Sequence, residues 1–425
     1  MSIAGAFALQ QLSASLTKPT GRRTLPLAQN IRNLFPETPS RPFAVLLLLV
    51  FLKQAGNGMV WSILAIYGQS LGASAAVVGL MISAYGGARL LVNIPSGYMS
   101  EKVGRRTMMS AGCALIGLSS FAAMALVRID AFFVCLLVMG GASAVFMTSA
   151  LAAVADLGEP SKRLRDMSMY QAANMVGASM GPAIGGVAAG MWGFSAPFLI
   201  NGVVALAGVV AFAMMPWPKA GVIKRVEPPK SGGLGRLARQ GMGIGLMYFS
   251  IFYMRVASNW VLMPLIATTK FNLELTTVGL ILTSGAIANL MVLTTVGSLV
   301  RIFGRIQVIT LSSLLTLAAC AMLAFGDHQV FLWVTSILFG AAAGVASPTL
   351  NAYVAEVAPE GLRGPAMGLL RTMQDLSLLL GPLVTGLLSD HTGLGYQGGL
   401  LGCLVLLSVA TIVFRLGTRG TRLFL

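Results

Sequence analysis

Charge is scarce in this chain. Asp, Glu, Lys and Arg make up 10% of its 425 residues and hydrophobic side chains 56%, whereas soluble globular domains carry about 25% charged residues. An ordinary soluble domain is excluded. The chain is composed for a bilayer, where each span needs about 20 apolar residues and a backbone that satisfies its own hydrogen bonds. Cysteine is nearly as scarce: Cys113, Cys135, Cys320 and Cys403 lie inside apolar runs without metal-ligand spacing, so neither a disulfide framework nor a metal site is implied. The two histidines, His328 and His391, fall in predicted outer loops. There is no Gly-rich phosphate loop ending in Lys-Ser/Thr, no H-E-x-x-H pair, and no Ser or Cys nucleophile with a base at membrane depth. ATP-driven transport and intramembrane hydrolysis are therefore disfavoured, and no catalytic residue, cofactor or metal is expected. Acids are fewest of all, 13 against 29 bases, for a net charge of +16. The bases sit between apolar segments rather than on one amphipathic face, which argues against a nucleic-acid partner.

What is present is a regular succession of apolar segments from Phe43 onward. It predicts an all-α membrane protein with twelve transmembrane helices in two six-helix pseudo-symmetric bundles. Spans are expected near 43–69, 75–96, 106–127, 131–155, 167–190 and 195–215, then near 242–268, 275–298, 306–325, 329–355, 366–389 and 395–415. The domain plan is a cytoplasmic amino-terminal tail (1–41), a first bundle (42–215), a basic cytoplasmic linker (216–241), a second bundle (242–415) and a cytoplasmic tail (416–425). The acid-poor, Arg-containing start also fits an organellar targeting segment. Bases set the orientation. Lys102, Arg105 and Arg106, then Lys162, Arg163 and Arg165, then Lys219, Lys224, Arg225, Lys230, Arg236 and Arg239 all fall on the side of the termini, whereas the opposite loops hold only Arg128 and Lys270. This asymmetry predicts both termini in the cytoplasm. A bacterial-type inner (plasma) membrane is expected, with an organellar envelope as the alternative.

The halves repeat at an offset of 200 residues. Val78-Gly79-Leu80 returns as Val278-Gly279-Leu280, Gly104-Arg105 as Gly304-Arg305, Gly181-Pro182 as Gly381-Pro382, and Ala155-Asp156 as Ala355-Glu356. Parallel repeats of this kind place a substrate site at their interface near the midplane, with alternating access by rocking of the halves.

Two motifs stand out. The decamer Gly97-Tyr98-Met99-Ser100-Glu101-Lys102-Val103-Gly104-Arg105-Arg106 reads as a tight polar turn between the second and third spans, in which Gly97 allows close helix approach, Gly104 the turn, and Glu101 bonds to helix ends and bases. The fifth span carries Gly177, Gly181 and Gly185 every four residues, with Pro182 and Gly186 among them. The glycines leave a flat stripe for a neighbouring helix, and the proline frees a carbonyl, so the stripe is read as a flexing or sealing interface. On these residues the chain resembles the major facilitator superfamily from Phe43 to Arg415. The decamer matches that family's signature between its second and third helices, and the glycine stripe is similar to the antiporter signature of its twelve-helix drug:proton antiporters. The resemblance implies secondary transport of a small organic solute, with protons as coupling ion and membrane lipids around a monomer. In two places the chain departs from the antiporter pattern: Leu136 stands where an Arg is common, and Lys53, Gln54 and Asn57 where the first helix often carries an acid.

Charged residues at membrane depth supply the candidate sites, because a base there costs about 2.5–3.5 kcal/mol and tends to face protein or a wet cavity. Lys53 with Asn57, and Arg255 with Asn259, share helix faces at i,i+4, and both pairs are expected to line one substrate cavity together with Trp260. The resemblance adds that the first and seventh helices line the family's cavity. Arg89, Arg371 and Asp375 are the proton-coupling or gate candidates. Arg371 and Asp375 are spaced to pair on one helix, Arg89 and Asp375 to meet across the halves, and Asp375 is the only acid at depth. The motifs favour proton-coupled efflux. The surplus of intramembrane bases favours an organic-anion or phosphorylated-solute transporter. A membrane sensor or adaptor that keeps the fold without turnover is the reading from another class.

Overall fold

The structure, a computed structural model, describes residues 40–157, 163–214, 234–357 and 363–418. The tail up to residue 39, most of the predicted linker and residues 419–425 lie outside the described residues. Everything described is helix or short connection, and the helices form twelve rods. These are α1 (Arg41–Ser70), α2 (Ala75–Val103), α3 (Arg105–Ala125), α4 (Ile129–Leu157), α5 (Arg163–Trp192) and α6 (Ser195–Met214). There follow α7 (Leu234–Met254, a π-helical segment Arg255–Leu262, and Met263–Thr269), α8 (Leu275–Leu293, continued by Val296–Phe303), α9 (Arg305–Phe325), α10 (Val330–Val357), α11 (Arg363–His391) and α12 (Tyr396–Thr418).

Ten of the rods are long and apolar enough to cross a membrane. The other two, α5 and α11, have 30 and 29 residues, ample length, but are less apolar. They carry Gln171, Asn174, Arg371 and Asp375, polar positions that suit helices packed inside a bundle rather than against lipid. Several helices outrun the apolar segments that announce them. The seventh rod begins at Leu234, inside the predicted linker, because Leu, Arg, Ala and Gln at 234–240 are good helix formers. α2 runs on to Val103, so most of the decamer is helix, and the predicted turn shrinks to Gly104, with φ 99°. Gly304 does the same at the repeat, with φ 78°. Both break the chain in a region open to glycine and costly for other residues.

The halves meet along two antiparallel crossings, α2 with α11 and α5 with α8. Along the first, Asp390 accepts a hydrogen bond from the Ala76 amide at 2.9 Å, and Ser83 Oγ accepts one from the Leu383 amide at 3.1 Å. Gly79 lies on the Pro382 carbonyl, and Gly86 on the Leu378 backbone. The second crossing mirrors it: Gly279 lies on the Pro182 carbonyl and against Gly186. A Cβ on Gly279 would stand 2.6 Å from the Pro182 oxygen, and one on Gly79 would land on Pro382. The repeated Val-Gly-Leu and Gly-Pro motifs thus meet each other across the seam, Gly79 with Pro382 and Gly279 with Pro182. Backbones this close gain dispersion and weak Cα–H···O contacts that no larger residue permits.

These contacts lie towards the loops opposite the chain termini, where Gln69 also bonds the Tyr396 hydroxyl at 3.1 Å. Seven of the nine buried residues of α2 fall between Val78 and Gly86, while Leu91, Ile94, Tyr98 and Met99 nearer its other end are exposed. On α11, Gly368 faces open space. The seam is shut at one end and parted at the other.

Candidate functional site

The shut seam ends in a polar cluster. Arg89 is the midpoint of the 29-residue α2, about 21 Å from either end at 1.5 Å per residue. Snorkelling is unnecessary there, because Arg89 Nε donates to Asp375 Oδ1 at 3.0 Å across the two halves. Asn93, one turn on, donates to the other carboxylate oxygen, and Thr148 of α4 donates to Asn93 Oδ1 at 3.4 Å. Arg89 also lies within hydrogen-bonding reach of Tyr85, whose hydroxyl donates to Asn57 Oδ1 at 3.3 Å. One connected network therefore joins α1, α2, α4 and α11 at mid-depth. Asp375 is 1% exposed, so its charge is answered by these donors rather than by water.

Of the two pairings open to Asp375, the structure has Arg89, and Arg371 makes no ion pair among the described residues. The pair has no counterpart on the second crossing: the positions 200 residues away are Asn289 and Met175. The closures share their glycine–proline geometry, but only α2 with α11 carries a charged latch.

The expected base pair on the first and seventh helices does not assemble. Lys53 points into its own bundle, where Nζ donates to Ser143 Oγ at 2.7 Å and to Gln54 Oε1 at 2.9 Å, beside Cys113 and a small apolar pocket that includes Leu49, Ile116 and Asn201. No hydrogen bond joins it to Arg255. An i,i+4 pattern fixes which residues share a helix face, not which side of the bundle that face meets. Asn57 joins the latch network through Tyr85. Arg255 opens the π-helical segment, an irregularity common at functional sites, and its guanidinium lies 5.3 Å from the centre of the Trp260 ring. Trp260 in turn packs against Trp61 of α1, the ring centres 5.2 Å apart and the planes inclined by 49°, an aromatic contact across the halves, and Asn259 Oδ1 is buried without a partner among the described residues. Since Lys53 has neutral partners only, Lys53→Met is expected to fold as well as the parent or better, which a thermal-shift measurement in detergent would check.

The decamer behaves differently from its sequence reading. Glu101 and Lys102 are exposed, and Glu101 makes no hydrogen bond or ion pair among the described residues. Lys102 rests 4.5 Å from the Tyr98 ring centre. The acid that answers this turn comes from the end of α4: Arg105 Nε bonds Asp156 Oδ2 at 3.0 Å while its Nη1 bonds Ser100. Arg106 donates to the Ala213 carbonyl. The repeat preserves the arrangement as Arg305 with Glu356. The matched Asp156 and Glu356 in the two halves were the available signal. Gly97 is not at a close approach here, since a Cβ would meet only Thr148, at an ordinary 3.6 Å. Asp156→Asn is therefore expected to lower stability by about 1.5 kcal/mol, the worth of a charge-assisted hydrogen bond, while Glu101→Gln leaves the unfolding midpoint unchanged.

The glycine stripe of α5 has two faces. Gly177, Gly181 and Gly185 sit on the α1 backbone at Phe51, Ala55 and Met59, whereas Pro182 and Gly186 meet α8 in the other half. Substitution on the first face disturbs one bundle, and on the second the seam between bundles.

A model of the Major Facilitator Superfamily matches residues 46–254 and 243–423, nearly the whole of both halves. The chain belongs to the Major Facilitator Superfamily. This superfamily member is 25% identical over 368 residues to an uncharacterized MFS-type transporter of Methanocaldococcus jannaschii, covering 82% of this chain and 92% of that protein. It is 22% identical over 357 residues to the quinolone resistance protein NorA of Staphylococcus aureus, covering 81% and 89%. Among solved structures it resembles the nucleoside transporter NupG (TM-score 0.71, 16% identity, 89% of this chain and 99% of that one). It also resembles a bacterial homolog of the human lysosomal transporter Spinster in an inward-facing, occupied conformation (TM-score 0.75, 13% identity, 91% and 98%). It is an integral, multi-pass membrane transporter, and these likenesses place its fold with theirs.

Proposed function

We propose that this protein exports a small organic solute from the cytoplasm by alternating access, in exchange for protons, with Asp375 as the proton carrier and the Arg89–Asp375 pair as a latch on the outer side. The single observation behind this reading is that pair, formed between the halves at the base of the shut seam. The groups facing Asp375 are Arg89 and Asn93 from α2, Arg371 from its own helix and Tyr248 from α7. Deprotonated, the carboxylate holds Arg89 and the outer face stays closed. A proton on Asp375 removes the charge that Arg89 answers and weakens the latch; in the exchange cycle that proton is taken up from outside while the outer face is open and released to the cytoplasm as the Arg89–Asp375 pair re-forms, so that solute and not the proton accompanies the outward turn.

The excess of bases on the side of the termini supports a cytoplasmic location for both, so that the parted end of the seam faces the cytoplasm. The glycine stripe and the quinolone resistance named for one relative support efflux over uptake. The membrane is the inner or plasma membrane of a bacterial-type cell, and the working unit is a monomer of two bundles with boundaries near 42–215 and 242–415. Flux of labelled solutes in proteoliposomes, with and without an imposed pH gradient, tests the reading. Solute movement that follows the gradient is expected, and movement indifferent to it would end the proton-exchange assignment.

A further inference from the structure

The first turns of α2 use two sides differently. One side packs on α11, with Gly79 on the Pro382 carbonyl. The other, together with the start of α4, walls an open groove of about 590 Å³. Val77, Leu80 and Met81 line it from α2, and Ile129, Phe133 and Val134 from α4. All six are apolar, and Leu80 and Val134 are 45% and 58% exposed. Ala75 to Met81 covers about 9 Å along the helix, so the groove lies on the lipid-facing surface close to the loops opposite the termini, where headgroups give way to acyl chains. One polar side chain lines it, Asp130. Arg128 grips that carboxylate twice, Nε to Oδ1 at 3.1 Å and Nη2 to Oδ2 at 2.9 Å, and the two side chains remain 75% and 68% exposed. Leu126 and Val127, beside Arg128 in the same loop, are exposed apolar residues, as suits a loop seated in the membrane interface. The positions 200 residues on are His328 and Val330, so the repeat does not reproduce this pair.

We propose that this groove binds a phospholipid with an ethanolamine headgroup, an acyl chain lying between α2 and α4, the phosphate on Arg128 and the ammonium on Asp130. The mutual pair leaves room for both contacts. A guanidinium has five N–H donors, of which Asp130 takes two, and each carboxylate oxygen keeps a lone pair free. Arginine suits phosphate through its fork of donors. A primary ammonium has three N–H groups to give Asp130, whereas the quaternary ammonium of choline has none. A headgroup with phosphate alone would bring its negative charge against Asp130 with nothing to answer it. The site depends on neither the direction of transport nor proton coupling, and a lipid held there braces α2 on the side away from its crossing with α11.

The test titrates purified full-length protein in detergent with phosphatidylethanolamine, phosphatidylcholine and phosphatidylglycerol of identical acyl chains, counting bound lipids by native mass spectrometry and following the thermal unfolding midpoint. Micelles remove the differences in bilayer curvature and pressure that separate these lipids in membranes. The first phosphatidylethanolamine is expected to bind about fivefold more tightly than either of the others, the range of an ion pair at an exposed rim, and to raise the midpoint the most, because a ligand of the folded state stabilises it. In Asp130→Asn the preference for ethanolamine over choline is expected to vanish, while Arg128→Gln weakens both lipids alike. Val134→Trp, which fills the groove with a side chain at home in the interface, is expected to weaken both as well without lowering the midpoint of the lipid-free protein. Equal binding of the ethanolamine and choline lipids by the native protein would overturn the ligand class, as would phosphatidylglycerol binding as tightly as phosphatidylethanolamine. An ethanolamine preference that survives in Asp130→Asn, or binding untouched by Val134→Trp, would overturn the site.

Discussion

Asp375→Asn is expected to slow proton-driven flux at least tenfold and to remove its response to a pH gradient, while the protein still folds and inserts. The amide keeps the shape of the carboxylate and one acceptor for Arg89, but it loses the charge and the site of protonation. Breaking a buried ion pair by removing one partner costs about 3–5 kcal/mol. Arg89 retains 15% of its side-chain surface and one hydrogen bond, so about 2–3 kcal/mol is the fitting range. At 1.4 kcal/mol per decade this shifts the balance between outward-closed and outward-open forms by roughly thirty- to a hundredfold. Arg89→Gln, which removes the other partner, is expected to favour the open outer face as well. It differs in leaving Asp375 able to take a proton, so some pH response survives. Solute counterflow, which needs no net proton movement, separates the two variants: it is retained in part by both if the latch sets a population and the proton sets the drive.

The second large effect concerns the glycines of the seam. In Gly79→Val the new side chain must occupy the place of the Pro382 carbonyl, and in Gly186→Val that of the Gly279 backbone. Overpacking of this kind costs about 1–3 kcal/mol where neighbours can yield, and here the neighbours are backbone. Both variants are expected to hold the outer face apart and to cut transport by tenfold or more. Gly97→Val should act in the opposite sense. Gly97 has room in the present conformation, and the antiparallel register set by Gly79 with Pro382 and Gly86 with Leu378 brings it opposite Gly368 when continued down the crossing. A branched side chain there would obstruct closure of the other end, so Gly97→Val is expected to trap the conformation described here. Reactivity of single cysteines placed on each side of the membrane would show the two shifts with opposite signs.

Much of this was legible in the sequence, for identifiable reasons. Long apolar runs announce helices, so the rods appear where the runs do, and errors collect at the ends where helix propensity carries a rod past its apolar stretch, as at Leu234 and Val103. The 200-residue repeat placed Gly79 and Gly279, and Pro182 and Pro382, in equivalent positions, yet nothing local says that each glycine meets the other half's proline. That follows only from packing. The charge census marked Arg89 and Asp375 because a charge at membrane depth is costly wherever it sits. The same logic misplaced Lys53, which is answered by Ser143, a hydroxyl ninety residues away on α4 and indistinguishable in sequence from any other small helical residue. Asn93, Tyr85 and Tyr248 went unmarked because neutral polar side chains raise no alarm in an apolar segment. Glu101 lies inside the signature, but the acid repeated in both halves, Asp156 and Glu356, is the better guide to which carboxylate answers the turn.

The central claim is that protonation of Asp375 opens the outer seam. Spin labels on cysteines introduced at Ser70 and Leu394, both exposed and on the shut side, would report it directly, since the four native cysteines are buried and resist labelling. On lowering the pH, the distance distribution of the otherwise native protein is predicted to gain a longer component, and Asp375→Asn is predicted to show that component at every pH. A distribution that ignores pH in the native protein, or an Asp375→Asn variant that stays closed, would contradict the account.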